Sequence, residues 1–186
     1  VARKGEAGLL QFDLIRDLIR LASVESKLLG KGVGYIRIKS FSSATAADTA
    51  AAMRELSAQG AATWILDLRW NPGGLLEQSI QVSDLFVDTG AVVTTVSTRK
   101  REVHDASRGL GDTGSSVAVL VNSGSASASE IVAGALKNLD RAIIIGTRSF
   151  GKGSVQTIIP LGGQGALRLT TARYYTPAGR SIQAKG

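Results

Sequence analysis

Apolar and polar residues alternate along two early stretches of the chain. Between Gln11 and Leu21 the alternation is imperfect, with Phe12, Leu14, Leu18 and Leu21 set against Asp13, Arg16, Asp17 and Arg20, and from Gly34 to Lys39 it is regular. A period of two puts successive side chains on opposite faces, so both stretches are predicted strands. The period then changes. Ala44 to Gln59 is alanine-rich with Met53 and Leu56 at helical spacing, Ser43 stands ready to cap it and Gly60 ends it, which predicts a helix. A strand over Thr63–Leu68, the turn Asn71-Pro72-Gly73-Gly74 and a helix over Leu75–Phe86 follow. Further on come a strand at Val92–Ser97, a polar loop from Arg99 to Ser115, a strand at Val117–Val121, a helix at Ala128–Leu139 and a strand at Ala142–Ile145. Strands and helices in alternation need crossover connections, so the expectation is an α/β fold around a largely parallel sheet. Val155–Leu161 and Ala166–Tyr175, parted by Gly162-Gly163-Gln164-Gly165, read as a closing hairpin.

Length and composition narrow the class. At 186 residues, with 44% apolar and 20% charged residues, the chain is expected to fold as one main globular domain. No apolar run approaches the roughly 18 residues of a membrane span. Zero cysteine excludes disulfides and thiolate metal sites. The net charge of +7 raises nucleic acid as a partner, but aromatics are only 5%, and the one compact basic run, Arg99-Lys100-Arg101, is followed by Glu102 and Asp105. No nucleic-acid partner is expected. Residues 1–6 carry no apolar signal core, so any export signal is expected upstream of a chain that reads as an excised fragment.

The densest chemistry lies between Val117 and Gln156. Serines at 123, 125, 127 and 129 crowd a strand-to-helix turn, and Lys152 follows between Gly151 and Gly153. A serine hydroxyl needs a base to become a nucleophile. The only histidine, His104, lies in a polar segment away from any glycine turn, which leaves Lys152 as the better base. Ser127-Ala128-Ser129-Glu130 is also a capping box, so a serine here can serve the helix alone, and periodicity does not separate the four. Lowering an amine pKa from about 10.4 to about 7 needs substantial burial, worth roughly 4–5 kcal/mol. A strand beginning near Lys152 would turn Lys152, Ser154 and Gln156 to one face and let the Gln156 amide hold the amine. Amides at the Gly73-Gly74 turn and at Ala128 are natural oxyanion donors. Asp67 and Arg69 read as a turn brace or ion pair.

Two partial motifs compete. Gly146-Thr-Arg-Ser-Phe-Gly151-Lys152 matches the start of a nucleotide-binding P-loop, but Gly153 replaces the magnesium-binding Ser or Thr. Ser149-Phe-Gly-Lys152 matches the Ser-x-x-Lys of penicillin-recognising enzymes without their companion motifs.

Taken in order, Gly34-Tyr-Ile-Arg-Ile-Lys-Ser-Phe41, Leu66-Asp-Leu-Arg69, Asn71-Pro-Gly-Gly-Leu-Leu76, Gly124-Ser-Ala-Ser-Ala-Ser-Glu-Ile131, Phe150-Gly-Lys-Gly-Ser-Val-Gln156 and Tyr174-Tyr-Thr-Pro-Ala-Gly-Arg-Ser-Ile-Gln183 resemble the C-terminal processing peptidases, the tail-specific serine proteases. The resemblance implies Ser127 as nucleophile, Lys152 as base and Gln156 as its orienting amide, with Gly73 and Ala128 as oxyanion amides. It implies a crotonase/Clp-protease-like core of largely parallel strands flanked by helices, with a small cap region. Residues 1–30 would be a cap or strand segment following an absent PDZ domain, and residues 31–186 the protease core. It further implies ATP-independent endopeptidase action near substrate C-termini, no metal or cofactor, protein or peptide partners with free C-termini, no membrane span, and an exported, periplasmic, extracytoplasmic or plastid-lumen location, and it leaves homo-oligomerisation open. The rival readings are a P-loop nucleotide binder and a catalytically silent truncated peptide-binding fragment.

Overall fold

The computed structural model describes residues 1–15, 22–109, 111–163 and 165–186. Its elements are β1 (Val24–Leu29), β2 (Val33–Ile38), α1 (Thr45–Ala58), β3 (Thr63–Asp67), α2 (Leu76–Asp84), β4 (Ala91–Ser97), β5 (Arg101–Asp105), β6 (Ser116–Val121), α3 (Ala128–Asn138), β7 (Ile143–Gly146), β8 (Ser154–Pro160) and β9 (Ala166–Tyr175). They form two sheets. One has the order β1-β2-β3-β6-β7 and the other β5-β4-β9-β8.

The first sheet is parallel from β2 through β3 and β6 to β7. Strand β2 follows the period read from its sequence, with Gly34, Ile36 and Ile38 buried and the residues between them half-buried. The crossovers α1 and the segment from α2 to β5 return the chain to neighbouring parallel strands, as parallel pairing requires. Strand β1 pairs antiparallel with β2 and is mostly exposed, which is why no apolar face marks it in the sequence. The predicted strand between Gln11 and Leu21 is not found: residues 11–15 carry no strand, and residues 16–21 lie outside the described residues.

The second sheet corrects the expectation of a single largely parallel core. Strand β4, expected among the parallel strands, pairs antiparallel with β5 and with β9. Strand β5 lies inside the segment expected to be a polar loop. Its exposed residues carry no alternation of their own, and β4 supplies its partner groups. The closing hairpin forms as expected, β8 against β9.

Helices α2 and α3 lie between the sheets. Val82, Phe86, Val132 and Leu136 face the core of the first sheet with Ile36, Leu66 and Val119. Ile80, Ile131 and Ala135 join Val92, Val93 and Tyr174 of the second. Leu136 is fully buried, and truncation to alanine at such a site typically costs about 2–5 kcal/mol. No helix among the described residues is long and apolar enough to cross a membrane.

Candidate active site

Three loops meet at the carboxyl ends of the parallel strands, where open α/β sheets commonly place their sites. Residues 68–75 follow β3, residues 122–127 follow β6, and residues 147–153 follow β7. Backbone bonds tie them together. The Ala126 amide donates to the Asn71 carbonyl at 3.0 Å, and the Phe150 amide donates to the Ser125 carbonyl at 2.9 Å. Asn71 is buried and anchors the first loop, its side-chain amide donating to the Ile38 carbonyl at 2.9 Å.

The four serines, indistinguishable by spacing, have different surroundings. Ser125 is buried, donates to the Leu68 carbonyl at 2.8 Å and accepts from the Asn122 amide at 2.9 Å. Ser129 is buried and donates to the Asn71 carbonyl at 3.0 Å. Ser123 is exposed on the turn. Ser127 alone of the four lines a cleft of about 350 Å³, together with Gly74, Leu75, Ala128, Lys152, Gln156, Arg168 and Tyr174. Its backbone is at φ 58°, ψ −115°, outside the ordinary regions for an L residue. Such conformations cost about 1–3 kcal/mol and persist where the surroundings over-determine them. Here Glu130 accepts the Ser127 amide at 2.8 Å, and the Ser127 carbonyl accepts from the Glu130 and Ile131 amides at 2.9 and 3.1 Å.

Glu130 does more than cap α3. Only 4% exposed, it also accepts the Ser149 hydroxyl at 2.7 Å, the Gly151 amide at 2.7 Å and the Lys152 amide at 2.9 Å. One carboxylate thus holds the backbone of Ser127 and the backbone of Lys152. These bonds also weigh against the nucleotide-binding reading, because the Gly151 and Lys152 amides are committed to Glu130. The loop, moreover, runs from β7 into β8, with no helix start to face an anion. Ser149 and Lys152 lie on that same loop and not on a helix, unlike a Ser-x-x-Lys motif of the penicillin-recognising kind.

Tyr174, on β9, is 3% exposed and donates its hydroxyl to the Lys152 carbonyl. Burial pushes its phenol up to about 12, against the effect of a hydrogen bond from Ser127 and with a contribution from the Glu130 charge. Tyr174 therefore holds the Lys152 backbone and shares the cleft lining with Ser127, a role that the sequence does not announce. Its only signal is membership of the Tyr174–Gln183 block, since a tyrosine in an alternating strand is ordinarily core. Glu130 was read only as half of a capping box, and nothing local shows that a second loop returns to it.

The remaining expectations meet mixed geometry. Strand β8 begins at Ser154, after Lys152, and its pairing with β9 shifts between Val155 and Gln156. The simple alternation drawn from Lys152 to Gln156 therefore does not hold. Gln156 is exposed on the cleft wall, with no hydrogen bond to Lys152 among the described residues, and Lys152 is half-buried. Ala128 lines the cleft at the first turn of α3. Gly73 lies against it: a Cβ there would stand 2.7 Å from Ser127 Cβ and 2.9 Å from the Ala128 nitrogen. The Gly73 amide, however, donates to Asn71 Oδ1 at 2.9 Å, so engaging an oxyanion requires exchanging that acceptor. His104 lies on β5 beside Thr95, away from the cleft lining. Asp67 and Arg69 form the expected brace, a pair at 2.7 Å with Tyr35 donating to the same carboxylate. Burial alone would raise the Asp67 carboxyl, but the Arg69 and Tyr35 hydrogen bonds hold it below the usual carboxylate range.

Comparisons with known proteins show what the chain is similar to. The family model described as Peptidase family S41 matches residues 32–186. A carboxy-terminal-processing protease of Bartonella bacilliformis is 49% identical over 183 residues, covering 95% of this chain and 42% of that protein. The carboxy-terminal processing protease CtpA of Bacillus subtilis is 40% identical over 181 residues, covering 96% of this chain and 39% of its own length. Among solved structures, a photosystem II D1 C-terminal processing protease superposes with a TM-score of 0.79 at 36% identity, covering 89% of this chain and 47% of that one. The chain thus spans less than half the length of each of these relatives. On a family match over residues 32–186, and on relatives this similar, the chain belongs to peptidase family S41.

Proposed function

We propose that this chain is the catalytic core of an ATP-independent serine endopeptidase that cuts protein substrates near their C-termini, a reading supported by relatives named carboxy-terminal processing proteases. Ser127 Oγ attacks the scissile carbonyl and passes its proton to the Lys152 Nζ lone pair. Lys152 returns that proton to the leaving amine, and water resolves the acyl-enzyme by the reverse sequence. The Ala128 amide, at the positive end of α3, and the Gly73 amide stabilise the oxyanion. Gln156 orients Lys152 from the cleft wall. The observation that carries the reading is the position of Ser127: a strained strand-to-helix turn, opening on a cleft shared with Lys152.

The finer fold assignment is a crotonase/Clp-protease-like core, supported by stacked parallel strands with helices packed against them. The core spans residues 31–186, and its partners are proteins or peptides with free C-termini. An exported location accords with the chloroplastic C-terminal processing peptidase of Tetradesmus obliquus, 42% identical over 155 residues. The test is labelling by a fluorophosphonate and hydrolysis of a tail-bearing peptide. Native chain should give both, Ser127→Ala neither, and Lys152→Arg no hydrolysis, because a guanidinium stays protonated. Labelling that persists in Ser127→Ala would overturn the assignment.

A further inference from the structure

Trp70 breaks a local rule without serving the core. It occupies the third position of the turn from Leu68 to Asn71, closed by the Asn71 amide donating to the Leu68 carbonyl at 3.2 Å. Its φ is 61°, the left-handed value that such turns reserve for Gly or Asn and that a bulky aromatic residue adopts only under constraint. The constraint is visible: the Trp70 amide donates to Asn122 Oδ1 at 2.9 Å. Yet the side chain is 69% exposed, so hydrophobic burial does not compensate for the strained backbone.

The neighbouring loop is shaped to take the ring. A Cβ on Gly124 would stand 2.5 Å from Trp70 Cε3, so any larger residue at 124 would displace the indole. Trp70 is thus held in place at the surface, three residues before Gly73 and against the loop that leads to Ser127. Two more exposed apolar side chains lie on the three loops of the site: Leu75, which lines the cleft, and Phe150, two residues before Lys152. Strain confined to an exposed side chain at a site rim points to contact with a ligand.

We propose that Trp70 is a substrate-contact residue whose indole extends the apolar wall of the Ser127 cleft and receives an apolar side chain of the polypeptide being cut. The inference rests on the peptidase reading of Ser127 and names what that site selects. The occupant is the substrate chain because Trp70 packs on Gly124 and bonds Asn122 of the loop that ends at Ser127, while the next residue, Asn71, is bonded to Ala126 beside the nucleophile. A Trp-to-peptide contact is the kind that dominates interface energies.

The chain offers a direct probe, because it has two tryptophans and the other, Trp64, is 3% exposed and donates to Asp112. In Ser127→Ala protein, titration with a peptide bearing Leu or Phe should move the tryptophan emission to shorter wavelength, and a Gly/Ser peptide of equal length should not. Trp70→Asn, which suits the turn, should melt no lower than the native chain. It should lose about tenfold or more in kcat/KM for the Leu and Phe peptides, with Trp70→Phe in between. Equal kcat/KM and an equal Leu-to-Gly ratio in Trp70→Asn would overturn the proposal. If fluorophosphonate fails to label native Ser127, the peptidase reading falls by itself. The emission titration then still decides the contact, since a selective shift sustains it and no shift with any peptide ends it.

Discussion

The Lys152 amide and the Ser127 amide share one acceptor, Glu130 Oε2, at 2.9 and 2.8 Å. The two groups of the proposed dyad come from different loops, so this shared oxygen sets their backbone separation. Glu130→Gln would turn an NH2 group toward at least one pair of the four donors that now meet the carboxylate. Expected are a stability loss of about 1–3 kcal/mol and a fall in kcat/KM of about 100-fold, as a 1 Å misplacement can produce. Peptide hydrolysis with urea unfolding checks both. An unchanged rate would mean the loops are positioned by other contacts.

Serine replacements should separate chemistry from packing. Ser127→Ala should abolish hydrolysis at little cost in stability, since Ser127 lines the cleft and is only half-buried. Ser125→Ala and Ser129→Ala each remove a buried bond to a carbonyl and should cost about 1–2 kcal/mol while leaving measurable turnover. The readout is kcat beside the denaturation midpoint for each variant.

Gly73→Ala tests the contact between the two loops. Its φ of 100° disfavours any side chain, and the new methyl would meet Ser127 Cβ and the Ala126 carbonyl oxygen, each at 2.7 Å. Hydrolysis should fall by about 100-fold or more while Gly60→Ala, also at positive φ but in open space, leaves it unaltered. Circular dichroism would confirm that both variants fold.

Asp84 predicts a pH-dependent gain. Burial raises its carboxyl above the usual range, against hydrogen bonds from Ser107. A raised folded pKa means that ionisation disfavours the folded state. The penalty is absent below the unfolded value of about 3.9 and grows as pH rises through the folded one. Asp84→Asn should therefore raise Tm by about 1–4 °C at pH 7, with the gain shrinking toward pH 3. Calorimetry at the two pH values decides it, and a Tm loss at pH 7 would show that the bond to the Ser107 amide outweighs burial.

Periodicity, turn residues and motif order were enough to locate β2, β3, β6, all three helices and the closing hairpin, because these elements either bury an apolar face or end at glycine or proline. Local signals pointed to the serine-rich turn at 123–129 and to Lys152 as the candidate chemistry, and only the family resemblance singled out Ser127. Tertiary structure decided the rest. Strands β1 and β5 are exposed sheet edges whose partners, not their own patterns, make them strands. Val92 and Val93 read equally well in either sheet, and only packing against Ile80 and Ile131 assigns them to the second. The serines at 125, 127 and 129 share one spacing, and their difference lies in carbonyls more than fifty residues away in sequence. Nor could spacing reveal that Glu130 bonds a loop 21 and 22 residues further on, or that Tyr174 reaches Lys152. Such contacts follow from chain closure over long separations, which no local pattern encodes.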